Sequence, residues 1–370
     1  MSRPRVLFVG RTRYDLPLPA SLQRKWDALA AELDLRVLAS AKRGARGDDV
    51  FRLVRPLPGK LDGAAFYLTL PWRVRTELRD FRPTVVVAES PYEGVAALLG
   101  RRLARSGAKI VVEVHGDWRT ATRLYGSSLR RIVNPLADRL ADFAVRRADA
   151  VRTVSDFTAG RVRALGREPA AVFTTWTDLS AFAAPLEPLP ERPRLVFVGM
   201  LEPYKNIENL AAAWRLAAPR LPEVVLHLVG TGTRTDVAQS LVADLPGQVE
   251  WSPSLSAPEV AAAIDAASVL LLPSRSEGLP RVAIEALARG RPVIGGRAGG
   301  IPDIVQHDVN GLLVDPEDVP ALAEAIVRLG SGPETVERLA AGARATAEPW
   351  LGSAEEYAGR VRALVDGAGG

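Results

Sequence analysis

Two doubly wound α/β domains are the fold class that this sequence predicts, and three observations carry the expectation. Short β-branched runs alternate with amphipathic stretches, the mark of βαβ units on a parallel sheet. The rhythm breaks once, over residues 185–193, where four prolines fall within nine residues, and then restarts. The 370 residues exceed one ordinary domain and suggest two or three.

In the first half, Val6–Val9 reads as a strand, Ala20–Leu33 as a helix and Arg36–Ala39 as a second strand. The helical stretch Trp72–Asp80 leads into the apolar strand Thr84–Glu89, and Tyr92–Ser106 into Lys109–Val114. Leu129–Arg147 reads as a long arginine-studded helix and Ala150–Val154 as a strand. Ser155 then caps a helix, because its hydroxyl can accept from free first-turn amides. Ala171–Thr175 closes the half. Proline removes backbone donors and restricts its neighbours, so 185–193 is expected to be a stiff linker between domains 1–184 and 194–350. Beyond it, Arg194–Val198, Val224–Val229, Val269–Leu272 and Pro292–Gly295 read as strands. Asn206–Ala217, Ala257–Ala267, Val282–Arg289 and Val319–Leu329 read as helices. A last helix, about 352–366, presents Tyr357, Val361 and Leu364 as an apolar stripe that needs a partner, and the first domain is the expected one. Two such sheets are expected to leave a deep cleft at their carboxyl strand ends, where doubly wound sheets bind ligands.

The chain is 47% hydrophobic and 25% charged, a globular composition that excludes wholesale disorder. No uncharged apolar stretch approaches the ~18–20 residues of a membrane span, and no signal-peptide core follows the basic start Met1–Arg5. With no Cys and three His (His115, His227 and His307), disulfides, iron–sulfur clusters and thiolate or His-rich metal sites are not expected. A soluble, cytoplasmic, metal-independent protein is the expectation. The net charge of +5 comes almost wholly from arginine and is spread along the chain. A nucleic-acid binder would gather it in a stripe with interleaved aromatics, so nucleic acid is not an expected partner.

The densest polar constellation is PSRSEGLPRVAIEA, Pro273 to Ala286. A strand ends in a turn there, and a helix starts near Pro280, a residue favoured in the first turn because it lacks an N–H that would be unpaired anyway. The amides of Arg281 and Val282 are then free to meet an anion with the helix dipole behind them. Glu277 lies in the turn and Glu285 inside the helix. At ~1.5 Å per residue they stand a helix turn or more apart, too far to share a proton, so two separate tasks suit them. Taken alone, a capping Glu277 and a solvated Glu285 would also account for the pattern.

The wording EGLPRVAIEALARGRPVI, with seven residues between Glu277 and Glu285, resembles the signature of family 4 glycosyltransferases, nucleotide-sugar enzymes of the two-domain GT-B fold. VFVGMLEPYKN (Val196–Asn206), LHLVGTG (Leu226–Gly232) and GGIPDIVQHDVNGLLV (Gly299–Val314) are similar to the family's C-domain segments, in the right order. VVEVHGD (Val111–Asp117) resembles the N-domain strand that ends in an active-site histidine, and DLSAF (Asp178–Phe182) the family's interdomain crossing. The resemblance implies that Glu277 binds the hydroxyls of the donor sugar, Glu285 the ribose, Lys205 the diphosphate and His115 the sugar. Gly10, Gly199, Gly230, Arg275, Gly278, Leu279, Arg281 and Val282 would complete the donor site. Catalysis would rest on His115, Glu277 and Lys205.

The implied reaction is a retaining, metal-independent transfer from a nucleotide diphosphate sugar, with UDP the expected carrier, to a hydroxyl acceptor. The acceptor would be a sugar, a lipid-linked sugar or a small aglycone; no cofactor is expected beyond the donor as co-substrate. Front-face attack follows, with the leaving phosphate oxygen taking the acceptor's proton. The sequence departs from the family in places. Met200 stands where an arginine usually follows the glycine, so Arg275, Arg281, Arg11 or Arg13 is expected to replace that cation. Only Gly10 remains of the family's paired glycines, and Thr175-Trp176-Thr177 replaces the usual Asn-Gly-Val. A weakened homologue that binds a nucleotide or a protein partner is the alternative. A dehydrogenase is disfavoured, since neither Gly10 nor Gly230-Thr231-Gly232 opens a G-x-G-x-x-G. Arginines beside apolar residues in Tyr125–Arg147 also suit a helix lying on the inner face of a membrane, as does a solvated core helix.

Overall fold

A computed structural model describes residues 3–57, 59, 62–119, 128–183 and 185–369. The chain forms two compact units, Met1–Asp178 with Gly352–Gly370, and Leu179–Leu351.

The first unit is built on a parallel sheet of strands β1 (Arg5–Tyr14), β2 (Asp34–Ala41), β3 (Phe51–Val54), β4 (Val85–Ala88), β5 (Lys109–Val114), β6 (Ala150–Thr153) and β7 (Ala171–Val172), in the order β3-β2-β1-β4-β5-β6-β7. Its central strands are apolar almost without interruption because helices cover both faces. Those helices are α1 (Ala20–Glu32), α2 (Asp62–Asp80), α3 (Pro91–Ala104), α4 (Ser128–Arg147) and α5 (Asp156–Arg163). Ser90 starts α3 by accepting from the Tyr92 amide at 3.2 Å, with Pro91 in the first turn. Ser155 and Thr158 form a reciprocal capping box at α5. β1 runs further than its apolar core: after a register shift past Val9, Arg13 pairs with Ser40 and Tyr14 with Ala41. The Tyr14 ring, buried against Trp26 and Phe51, holds that extension where the sequence alone leaves a loop.

The second unit repeats the plan with β8 (Arg194–Val198), β9 (Val225–Val229), β10 (Val249–Ser252), β11 (Val269–Leu272), β12 (Val293–Gly296) and β13 (Gly311–Val314), ordered β10-β9-β8-β11-β12-β13. Its helices are α6 (Ile207–Ala217), α7 (Thr235–Asp244), α8 (Ala257–Asp265), α9 (Arg281–Ala288), α10 (Val319–Gly330) and α11 (Pro333–Ala347). The last helix, α12 (Ala354–Gly369), belongs to the first unit, where Tyr357, Val361 and Leu364 are buried in one core with Phe8, Trp26 and Phe173.

The division falls earlier than expected, after Asp178 rather than at 184, and 185–193 lies inside the second unit instead of between the two. The cause is packing on both sides of that segment. Phe182 is buried in one hydrophobic core of the second unit, and Leu189 packs on the other. Two buried guanidiniums then bind the proline-rich backbone: Arg289 donates to the Pro185 carbonyl at 3.0 Å, and Arg291 to those of Glu187 and Pro188 at 3.0 and 2.9 Å.

In each sheet the strand order reverses once, between β1 and β4 and between β8 and β11, while all strands stay parallel. In open α/β sheets the crevice at the carboxyl ends of those two strands is where ligands bind.

Candidate functional site

At the second unit's switch point, Gly199 follows β8 and the turn 273–280 follows β11. Lys205, buried at the end of the short 3₁₀ turn Pro203–Lys205, donates to Glu277 Oε1 at 2.7 Å. Asn206 ties that turn to the loop: in the left-handed conformation (φ 62°), its amide donates to the carbonyls of Pro273 and Pro316 at 3.1 and 2.6 Å. Glu277 is fixed in turn through its carbonyl, which accepts from the Gly300 amide at 2.9 Å. Gly299 makes that approach feasible, because at φ 58° a Cβ there would collide with the Glu277 backbone. Gly230 has the same role for Gly199: at φ 134°, any side chain would strike the Gly199 carbonyl.

Glu285 lies on α9, buried, with the Arg281 guanidinium 3.8 Å from its Oε1. Burial pushes its carboxyl above the usual range, opposed by the nearby Arg281 and Lys205 charges. The structure therefore brings Lys205, Glu277, Glu285, Arg281 and Gly199 together. Pro280 is the N-cap of α9 rather than its first helical residue, and no side chain caps that end. Val282 is buried and Leu279 packs on the core, so these two contribute shape, with Gly278 between Glu277 and Leu279 in the turn.

The arginines offered in place of the one missing at Met200 are not equivalent. Arg275 is committed to Glu317 at 2.6 and 3.2 Å and to the Pro203 carbonyl at 3.0 Å. Arg11 and Arg13 both donate to Asp62, at 3.2 and 2.9 Å. Arg281 differs from these: its side chain is 66% exposed, so its charge is the most accessible of the four.

In the first unit, His115 follows β5 and stands exposed at its end. Its Nε2 meets Glu113 Oε2 at 3.0 Å, two residues back on the same strand face. Arg152, fully buried on β6, donates to Glu113 Oε1 at 2.7 Å, and also to the Phe173 carbonyl and Thr175 Oγ1 at 2.9 and 3.1 Å. The Arg152 and His115 charges hold the Glu113 carboxyl far below its ordinary range despite complete burial. Gly10 has a neighbour that the sequence reading did not foresee. A Cβ there would collide with Glu89 Oε2, so the glycine makes room for a carboxylate. Glu89, Glu113 and Arg152 were not singled out in sequence; the available signal was a charged residue inside or ending an apolar run. His227 and His307 lie apart, bonded to Ser252 Oγ and to the Leu313 amide at 2.9 and 3.0 Å.

Among the described residues, no three His, Asp or Glu side chains gather to hold a metal ion, and no helix is long and apolar enough to cross a membrane. The family described as glycosyl transferases group 1 matches residues 182–346, and the glycosyl transferase 4-like domain matches residues 20–176. The chain is 35% identical over 164 residues to the D-inositol 3-phosphate glycosyltransferase of Streptomyces griseus, covering 41% of this chain and 35% of that one. It is 31% identical over 261 residues to the GDP-mannose-dependent alpha-(1-6)-phosphatidylinositol monomannoside mannosyltransferase of Mycolicibacterium smegmatis, covering 64% and 65%. The matches thus span less than two thirds of these relatives' own length. The fold is that of the sucrose-phosphate synthase from Thermosynechococcus elongatus, with a TM-score of 0.77, 21% identity and 99% of each chain covered. With a family match in each unit and the GT-B plan of two Rossmann-like sheets, the chain belongs to the family 4 glycosyltransferases.

Proposed function

We propose that this chain is a retaining glycosyltransferase that moves a sugar from a nucleotide diphosphate sugar to a hydroxyl group. The observation that carries the reading is the buried Lys205–Glu277 pair beside Glu285 at a sheet switch point. An ammonium held beside a diphosphate is worth most as charge builds on the leaving group, so Lys205 lowers the barrier more than it tightens the donor. Glu277 holds that ammonium with Oε1 and offers Oε2 to a sugar hydroxyl. Glu285 takes the ribose diol, Arg281 supplies the second diphosphate charge, and His115, oriented by Glu113, contacts the sugar. Retention follows if the leaving phosphate oxygen accepts the acceptor's proton on the same face, a route that needs neither a protein nucleophile nor a metal ion.

UDP is the proposed carrier and GDP the competing one, since the mycolicibacterial relative is named for GDP-mannose. The acceptor is a sugar or a lipid-linked hydroxyl compound met in the cytoplasm or at the inner membrane face. The test is a melting-temperature panel of UDP, GDP, ADP and dTDP with chelator present, followed by NMR of the product anomer. A nucleotide at a hundredfold its Kd should add about 2.7 kcal/mol. No response to any of the four at millimolar levels overturns the reading. A response without transfer would mark the weakened homologue, which Met200 in place of a cation and the commitment of Arg275 to Glu317 favour.

A further inference from the structure

We infer that Glu89 is the residue with which the first unit binds the acceptor, taking a hydroxyl of a neutral polyol, a sugar or cyclitol ring, at the β1/β4 switch point. The word acceptor rests on the transferase reading; the polyol site rests on the first unit alone.

Glu89 directly follows β4, and its amide donates to the Val9 carbonyl at 2.9 Å, so its backbone bridges the two strands whose divergence opens the crevice. The side chain lies over Gly10, where no Cβ is tolerated. Its Oε2 accepts from Thr12 Oγ1 at 3.0 Å, and Oε1 has no protein partner among the described residues. Glu89 is half-buried, so Oε1 is left open to accept from a ligand hydroxyl.

The surrounding charges select the ligand class. Lys25, His115 and Glu113, with the hydroxyls of Tyr14 and Tyr357, are the charged and titratable neighbours that act on Glu89, with Glu113 already committed to Arg152 and His115. Lys25 and His115 balance Glu89 and Glu113, and Ser90 caps the start of α3, so no open helix end is left for a phosphate. A neutral hydroxyl donor fits both constraints. The second unit's switch point also sets two cations, Lys205 and Arg281, beside two carboxylates, Glu277 and Glu285, but adds an uncapped helix start that suits an anion. The same topological position thus carries an anion site in one unit and a hydroxyl site in the other.

The experiment compares the wild-type chain with Glu89→Gln, which keeps the volume over Gly10. Saturation-transfer NMR reads binding of myo-inositol, methyl α-glucopyranoside and methyl α-mannopyranoside at about 50 mM, well above a weak millimolar Kd. Melting shifts with UDP and GDP read the other unit in parallel. At least one polyol should bind the wild type, and Glu89→Gln should weaken it by about tenfold or more, the worth of a hydrogen bond to a charged group, with nucleotide shifts unchanged. No polyol binding to the wild type, or equal binding to both proteins, overturns the inference. Failed nucleotide shifts beside a positive polyol result remove the transferase reading and leave the Glu89 site standing.

Discussion

Lys205 commits its charge to Glu277 at 2.7 Å with both side chains largely buried, whereas Glu285 meets Arg281 only at 3.8 Å. Removing one member of a buried pair leaves the other charge uncompensated, so Glu277→Gln should cost about 3 kcal/mol of stability. It should also mainly depress kcat, by about 100-fold, because a misplaced sugar loses its reactive geometry. Glu285 touches the ribose, which does not change during reaction, so Glu285→Gln should raise donor KM more than it lowers kcat. Its stability effect has the opposite sign to that of Glu277→Gln. Burial raises the Glu285 carboxyl, so its contribution to folding is fully present only below the unfolded value of about 4.3 and is lost as pH rises through the folded one. Glu285→Gln should therefore melt at or above wild type at pH 7, with the margin closing towards pH 4. Steady-state constants and melting curves at both pH values check this, and the reverse pattern would overturn the assignment.

At the scale of elements, the site depends on how closely two loops meet. Gly230, at φ 134° and against the Gly199 carbonyl, keeps the turn after β9 beside the turn after β8, where Gly199 in turn lies against Lys205. Gly230→Ala should cost about 1–3 kcal/mol from strain and should abolish the nucleotide-induced melting shift. Gly247 provides the control: its φ is 83°, but a Cβ there meets nothing within 4 Å. Gly247→Ala should lose stability and keep the shift; losing the shift as well would show that the effect is not local to the loops. Strands such as β4 (VVVA) were legible in the sequence because burial on both faces leaves an unbroken apolar run. The short strands β3 (FRLV) and β10 (VEWS) were not, since charge within four residues erases that signal and their partners supply the pairing. The helices α7 and α11 and the strand β13 (GLLV) were also not read from the sequence.

Across the whole molecule, one surface stands out on the first unit. The adjacent helices α2, α3 and α4 expose Leu68 and Trp72, Leu99 and Leu103, and Leu136, Leu140 and Phe143. Arg73, Arg102, Arg139, Arg146 and Arg147 are exposed on the same helices, while Glu77, Glu93 and Asp138 are turned inward. The start of the expected membrane-surface stretch, residues 125–127, lies outside the described residues. An apolar and cationic face of this kind suits an anionic lipid surface. The protein should sediment with phosphatidylglycerol vesicles and not with phosphatidylcholine ones, less so in high salt, and Leu140→Ser with Phe143→Ser should weaken the association. Equal recovery with both lipids, or with neither, would remove the membrane from the proposal.

The sequence by itself determined the alternation of strands and helices, the two-fold repetition of the plan and the Glu277–Glu285 spacing, because periodicity and loop chemistry are properties of neighbouring residues. It placed His115 at a strand end and Lys205 in a turn for the same reason. Only the tertiary structure decided which charges are free. Strand order brings Glu89 onto Gly10 and Arg152 onto Glu113, and loop packing consumes Arg275 on Glu317 and Arg11 and Arg13 on Asp62. It also drew 185–193 into the second unit, where Arg289 and Arg291 bind carbonyls that proline leaves without strand partners. These pairings join residues far apart in the chain, and their energies depend on burial and distance, which no local pattern encodes.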